Sequence, residues 1–176
     1  MIYLTGITAA IATANAVPPA VPSWLDDVLA QATPLLPGSG AFSLELGVRF
    51  TVPSPKTCTG IRAYWSFGAG GPWTVTLNLW DSVGALVATE SVVVPVENSY
   101  LQTTGAFGTH ALTAGPNYTV SLGSFGVSNG RGSINPFTLP KAYTDYTVNQ
   151  PFQYAFTGTF PNDSNATVCA LVEPLF

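Results

Sequence analysis

Leu44-Glu45-Leu46-Gly47-Val48-Arg49-Phe50-Thr51-Val52 alternates without a break. Leu44, Leu46, Val48, Phe50 and Val52 fall on one face of an extended strand and Glu45, Gly47, Arg49 and Thr51 on the other, because side chains in a strand point to opposite sides with period two. This is the pattern of a half-buried β-strand. Working outward, Pro53, Ser54 and Pro55 end it. Thr57 to Ser66 follows as a second strand, with Ile61, Ala63 and Trp65 on one face and Arg62 and Tyr64 on the other. After a tight loop at Gly68 to Pro72, Trp73 to Asp81 sets Trp73, Val75, Leu77 and Leu79 against Thr74, Thr76, Asn78 and Trp80. Ser82, Val83 and Gly84 turn the chain into Ala85 to Val94, and Pro95 marks that strand as an edge or its end. Tyr100 to Phe107, Asn117 to Leu122, Phe152 to Phe160 and Thr167 to Val172 bring the count to about eight strands, with Phe152, Tyr154, Phe156 and Phe160 read as one core face. Strands at regular spacing with turn signals between them, and no strand-helix alternation, predict an all-β fold, an antiparallel β-sandwich of jelly-roll or Ig-like type. Phe50, Ile61, Leu77, Leu79, Val120 and Phe156 are its expected core.

Upstream of that sheet the pattern changes. Met1 to Ala16 is apolar, and Pro18, Pro19 and Pro22 make an extended, donor-poor linker. A short helix follows, N-capped by Ser23 with Asp26 at its third position and Trp24, Leu25, Val28, Leu29 and Ala32 at helical spacing until Pro34. Residues 1–43 therefore read as an arm with a short helix, expected to dock on neighbouring subunits, and residues 44–176 as the sandwich domain. Ala14-Asn15-Ala16 imitates a signal-peptide cleavage site, but no basic region precedes it, so the segment is expected to be retained.

Composition narrows the function classes. The chain has 176 residues, enough for one domain with a sizeable core. Only 8% of the residues are charged, against a usual ~25%, which points either to a hydroxyl- and amide-rich surface or to one covered by other subunits. No apolar run approaches the ~20 residues needed to cross a bilayer. The net charge is −4 and the five basic residues are scattered; without a basic stripe to release counterions, nucleic acid is not an expected partner. Cys58 and Cys169 read equally as a disulfide between a middle and the last strand, or as two buried thiols.

The strands carry a resemblance. Glu45 to Thr51, Thr59-Gly60-Ile61-Arg62-Ala63-Tyr64, Leu79-Trp80-Asp81 with Gly84 to Ala88, and Leu112-Thr113-Ala114-Gly115-Pro116-Asn117-Tyr118-Thr119-Val120 are similar to an uncharacterised family of small β-sandwich domains. That family occurs in large secreted bacterial proteins and in tail proteins of phages that infect actinobacteria. The likeness runs from about Leu44 to Ser124, and the loop before Trp73 departs from the small, threonine-rich loop of the family. It implies a sandwich and an extracellular or virion setting, and brings no catalytic residues.

Catalytic chemistry finds little to build on. His110 is the only histidine, and no serine near it in the sequence lies in a nucleophile-elbow context of the Gly-x-Ser-x-Gly type. Zinc needs more His or Cys than the chain has. Asn162-Asp163-Ser164-Asn165 is an Asx-rich turn that needs no calcium to explain it. No catalytic residue and no cofactor is expected. Aromatic and polar clusters are better candidates for binding. Trp80, on the polar face of its strand, and Tyr64 would form a platform for a sugar ring. Between Gly123 and Gln150, a long and weakly alternating stretch carries Asn129, Arg131, Tyr143 and Asp145, a mixture suited to a subunit interface or a receptor glycan. The expected function is a non-enzymatic virion structural protein of a phage, a minor tail, fibre or capsid-surface protein that forms a homo-oligomer and contacts other virion subunits. The alternative is a carbohydrate-binding module of a secreted bacterial protein.

Overall fold

The computed structural model describes residues 22–30, 42–65, 72–94, 99–127, 137–156, 158–166 and 168–176. A helix, α1 (Trp24–Ala30), precedes twelve strands: β1 (Phe42–Thr51), β2 (Lys56–Cys58), β3 (Gly60–Trp65), β4 (Trp73–Trp80), β5 (Leu86–Val94), β6 (Ser99–Gln102), β7 (His110–Leu112), β8 (Tyr118–Val127), β9 (Lys141–Ala142), β10 (Thr147–Phe156), β11 (Asp163–Ser164) and β12 (Val172–Leu175). The large sheet runs β11-β10-β1-β8-β4-β5, with β9 also paired to β10; a three-stranded sheet runs β12-β3-β6, and β2 pairs with β7. All recorded pairings are antiparallel. The fold is an antiparallel β-sandwich.

Alternation does what it should in the central strands. Val48, Phe50, Val75, Leu77, Leu79, Val120 and Val148 of the large sheet, and Ile61, Ala63 and Trp65 of the small one, are fully buried. Phe50 sits at the centre, its ring 6.0 Å from those of both Tyr118 and Tyr146.

Several expectations need correction. The strand expected over Thr57 to Ser66 is two: Cys58 pairs with His110, whereas from Gly60 onward the chain joins β6 and β12. The strand from Tyr100 ends at Gln102 and gives way to a 3₁₀ turn over Gly105–Phe107, whose N-cap Thr104 accepts a hydrogen bond from the Ala106 N–H. The last strand lies later than Thr167 to Val172 and contains Pro174, tolerated because β12 is an edge. Phe156 is not core: it is 79% exposed. Its pairing with Leu44, and that of Tyr154 with Leu46, leaves the three on the face expected. Burial fades along that face from Phe152 through Tyr154 to Phe156, because a three-stranded layer does not reach the end of a seven-stranded one.

The helix is the largest correction. It was expected to belong to an arm that docks elsewhere, but Trp24, Leu25 and Val28 are buried in the sandwich core. The Trp24 Nε1–H donates to the Ala170 carbonyl at 3.0 Å. A seven-residue helix has no stability of its own in water, so this packing is what makes it a helix. Ser23 caps it as expected, its Oγ accepting from the Asp26 N–H at 3.2 Å. The arm before Pro22 and the turn at Pro34 lie outside the described residues.

Phe50→Ala is expected to cost about 3–5 kcal/mol through the cavity it leaves, measured by urea unfolding; a loss below ~1 kcal/mol would contradict its central position.

Candidate functional site

Two buried carboxylates organise the polar chemistry. The first, Glu173 on β12, stands alone in the apolar tail Cys169-Ala170-Leu171-Val172-Glu173-Pro174-Leu175-Phe176 and is 2% exposed. The sheet register sets it directly across from Arg62, and Arg62 across from Gln102. Arg62 reaches it with Nε at 2.7 Å and Nη2 at 2.6 Å. Glu173 also accepts from the Leu25 N–H at 2.9 Å and the Tyr146 hydroxyl at 3.1 Å, while that hydroxyl accepts from the Trp24 N–H at 2.9 Å. Helix N–H groups with no partner in their own helix are thus satisfied by the sandwich. Around this centre, Arg62 pairs with Asp26 at 2.9 Å, Lys141 with Asp27 at 2.6 Å and Lys56 with Asp145 at 2.6 Å. Burial alone would lower the pKa of Arg62, but Asp26 and Glu173 more than offset it and hold the guanidinium above its ordinary value. Desolvation, reinforced by Asp27, raises the Tyr143 pKa, and desolvation with the nearby Glu173 raises that of Tyr146, so both hydroxyls stay protonated as donors.

A groove of about 410 Å³ opens over this cluster, lined in part by Asp26, Arg62, Gln102, Tyr143, Asp145 and Tyr146. A smaller one of about 270 Å³, lined by Asp27, Lys141 and Ala142, shares Pro22, Tyr143 and Thr144 with it. The first is within the size range of small-ligand sites. Its wall sets charged groups of both signs beside the Tyr143 and Tyr146 rings. Away from the groove lining, burial pushes the Cys58 thiol up to about 11 and the Cys169 thiol up to about 12, so neither is a thiolate at neutral pH. Both cysteines are buried thiols and do not form a disulfide with one another. His110 begins β7 and its Nε2 lies 2.9 Å from the Phe107 carbonyl. Among the described residues no three His, Cys, Asp or Glu side chains are grouped to hold a metal ion. Asp163 and Ser164 form a strand on Tyr154 and Gln153.

The second carboxylate, Glu45, lies on the opposite, outward face of the large sheet and is nevertheless fully buried. Asn78 Nδ2 donates to it at 2.6 Å, the Ser121 hydroxyl donates to the same oxygen, and the Gly158 N–H reaches the other at 3.2 Å. Trp80 Nε1 donates to Ser121 at 2.7 Å and its ring packs on Phe160, 5.9 Å between centroids. The chain after β10 therefore straps across this face and covers it. Gly123 makes the space: a Cβ there would collide with the Glu45 carboxylate and the Thr76 hydroxyl. Desolvation raises the Glu45 pKa above the usual carboxylate range, against the opposing hydrogen bonds from Ser121, Asn78 and Gly158.

Tyr143 and Asp145 come together at the groove. Trp80 and Tyr64 do not form one platform: Trp80 is buried under Phe160, whereas Tyr64 is on the outward face of the small sheet, its ring 4.9 Å from that of exposed Tyr100. Asn129 and Arg131 lie outside the described residues. Arg62, Gln102 and Glu173 were missed as site residues. Glu173 carried a signal, a lone carboxylate in an apolar run, but its partner is 111 positions away.

Fold and groove together define a β-sandwich domain with a polar cleft beside a docked helix. The profile of a domain of unknown function, DUF4082, matches residues 32–168, and the chain belongs to that family. The match extends beyond the Leu44 to Ser124 stretch on both sides. No curated protein matches the chain.

Glu45 has a raised pKa in the folded state, so the stability linked to its protonated form is fully present below the unfolded carboxylate pKa of ~4.3 and is lost as pH rises through the folded value. The difference in Tm between the wild type and Glu45→Gln should therefore shift against the wild type as pH is raised from 4 to 8. The opposite slope would show that the three donors outweigh desolvation.

Proposed function

We propose that this chain is a non-enzymatic building block of a phage virion, a minor tail, fibre or capsid-surface protein that works by assembling with copies of itself and with other virion subunits. One observation carries the reading: the placement of charge. Lys56, Arg62 and Lys141 are joined to Asp145, Asp26, Glu173 and Asp27 beside the two adjoining grooves. Exposed positions elsewhere include Val83, Leu86, Val87, Val93, Tyr100 and Phe156. A surface poor in charge, with three of its cations neutralised in ion pairs and large apolar side chains left outside, suits burial against other subunits. The setting the family resemblance implies agrees with this. No described helix is long and apolar enough to cross a membrane.

A second reading, a carbohydrate-binding module, is favoured by one feature. The Tyr64 and Tyr100 rings meet on an outward face, with the Arg62 guanidinium 5.8 Å from the Tyr100 ring centre and the groove beside them. Planar rings next to forked hydrogen-bonding groups are what a sugar ring requires.

The mass of the full chain in solution, by sedimentation over 1–100 µM, is expected to be a multiple of 18.4 kDa. A monomer throughout would remove the assembly reading. On a glycan array, Tyr100→Ala and Gln102→Ala should leave a purely structural protein unchanged, whereas loss of a glycan signal present in the wild type would establish the second reading.

A further inference from the structure

Thr119 on β8 and Gln153 on β10 share the outward face of the large sheet with Glu45, and each is 1% exposed. Their strands do not pair with one another, because β1 runs between them. Strands two apart in a sheet are separated by about 9.5 Å, so side chains of the outer two meet readily only where the residue between them is small. Gly47 provides that gap. It lies across from Gln153 on one side and from Ser121 on the other, and a Cβ on it would press on Thr119 Cγ2 at 3.0 Å and Ser121 Cβ at 3.1 Å. Over the gap, the Thr119 hydroxyl donates to Gln153 Oε1 at 3.1 Å. A glutamine is seldom enclosed to this degree. The contact sets a hydroxyl oxygen beside an acyl carbon in a place that solvent does not reach.

We propose that Thr119 and Gln153 become joined by an ester bond that the folded chain forms on itself. The Thr119 Oγ attacks Gln153 Cδ, the Cδ–Nε2 bond breaks, and the hydroxyl proton leaves with the nitrogen as ammonia. One O–H and one C–N bond are exchanged for one C–O and one N–H bond, so no oxidant, metal or co-reactant is consumed. A hydroxyl and a carboxamide do not react when free in water, and the fold supplies what is missing there. Groups held in contact have an effective concentration far above any reached in solution. Excluded water cannot hydrolyse the ester, and ammonia that escapes is diluted away, so even a slow reaction accumulates product. Glu45 belongs to the same buried layer, its carboxyl bonded to the hydroxyl of Ser121, two residues along β8 from Thr119, and gives the layer a group able to relay a proton. The bond ties β8 to β10 across β1, in a domain whose two cysteines are not joined. It goes beyond both readings of function and depends on neither.

The test is the intact mass of the full chain after purification and prolonged incubation. It is expected to fall about 17 Da below the mass of the sequence, the loss of one ammonia. Thr119→Val keeps the shape of the side chain and removes the hydroxyl, and its mass is expected to match its own sequence. Trypsin cuts after Arg131 and Lys141, both of which lie between the two residues. In the denatured wild type, the peptides carrying Thr119 and Gln153 should therefore stay joined, and should separate in mild alkali, which cleaves esters. Wild-type protein of full mass would overturn the proposal. So would an ammonia loss that persists in Thr119→Val or that leaves the two peptides separate, since ring closure at an asparagine such as Asn129, which precedes Gly130, loses the same mass. The peptide map is made on the wild type, so the outcome stands even where the variant fails to fold.

Discussion

Glu173 is the constraint on which the arrangement of this molecule turns. A carboxylate with 2% exposure cannot be left ionised without compensation. Here the compensation comes from Arg62 on the neighbouring strand, from the Leu25 N–H of the helix, and from Tyr146 at the start of the stretch that leads into β10. A buried ion pair is not in itself a strong source of stability, but removing one partner strands the other at about 3–5 kcal/mol. Its effect is thus to specify position. The helix can dock in one place, the turn over residues 143–146 can close in one place, and the groove between them follows as a consequence.

The two faces of the large sheet obey different rules. Toward the small sheet, burial is apolar and non-directional, and bulk hydrophobicity fills the space. On the far face the strap through Gly158 and Phe160 buries Glu45, Asn78, Ser121 and Trp80, and here every group must find a partner. Buried hydrogen-bonded networks tolerate few substitutions because a half-satisfied network is costlier than an apolar one. Gly123 belongs to this layer as much as any polar residue does, since its missing side chain is the volume that Glu45 occupies.

Charge is used sparingly. Three of the five basic residues, Lys56, Arg62 and Lys141, are held in ion pairs beside the two adjoining grooves, whereas Val83, Leu86, Val87 and Phe156 stand exposed outside the linings of both.

The strands β1, β3 and β4 were legible in the amino-acid sequence because alternation is a local property: a half-buried strand writes its two faces into adjacent residues. The all-β class, the cap at Ser23, the edge position of β5 and the burial of Phe50, Ile61, Leu77, Leu79 and Val120 follow from such local signals. Tyr143 and Asp145, singled out by the composition of their stretch, line the groove, but Arg62 and Glu173 beside them could not be singled out, because a contact across 111 positions leaves no mark on the spacing of either residue. Trp80 lay on the polar face, as alternation requires, yet only the strap that crosses that face buries it. Phe156 faced the expected way, yet only the reach of the opposing sheet decides whether a face is covered. The sequence by itself determined which side of each regular strand is apolar; the tertiary structure decided which of those sides meets another layer, because burial is a property of what packs against a residue and is not encoded in the residue's own neighbours.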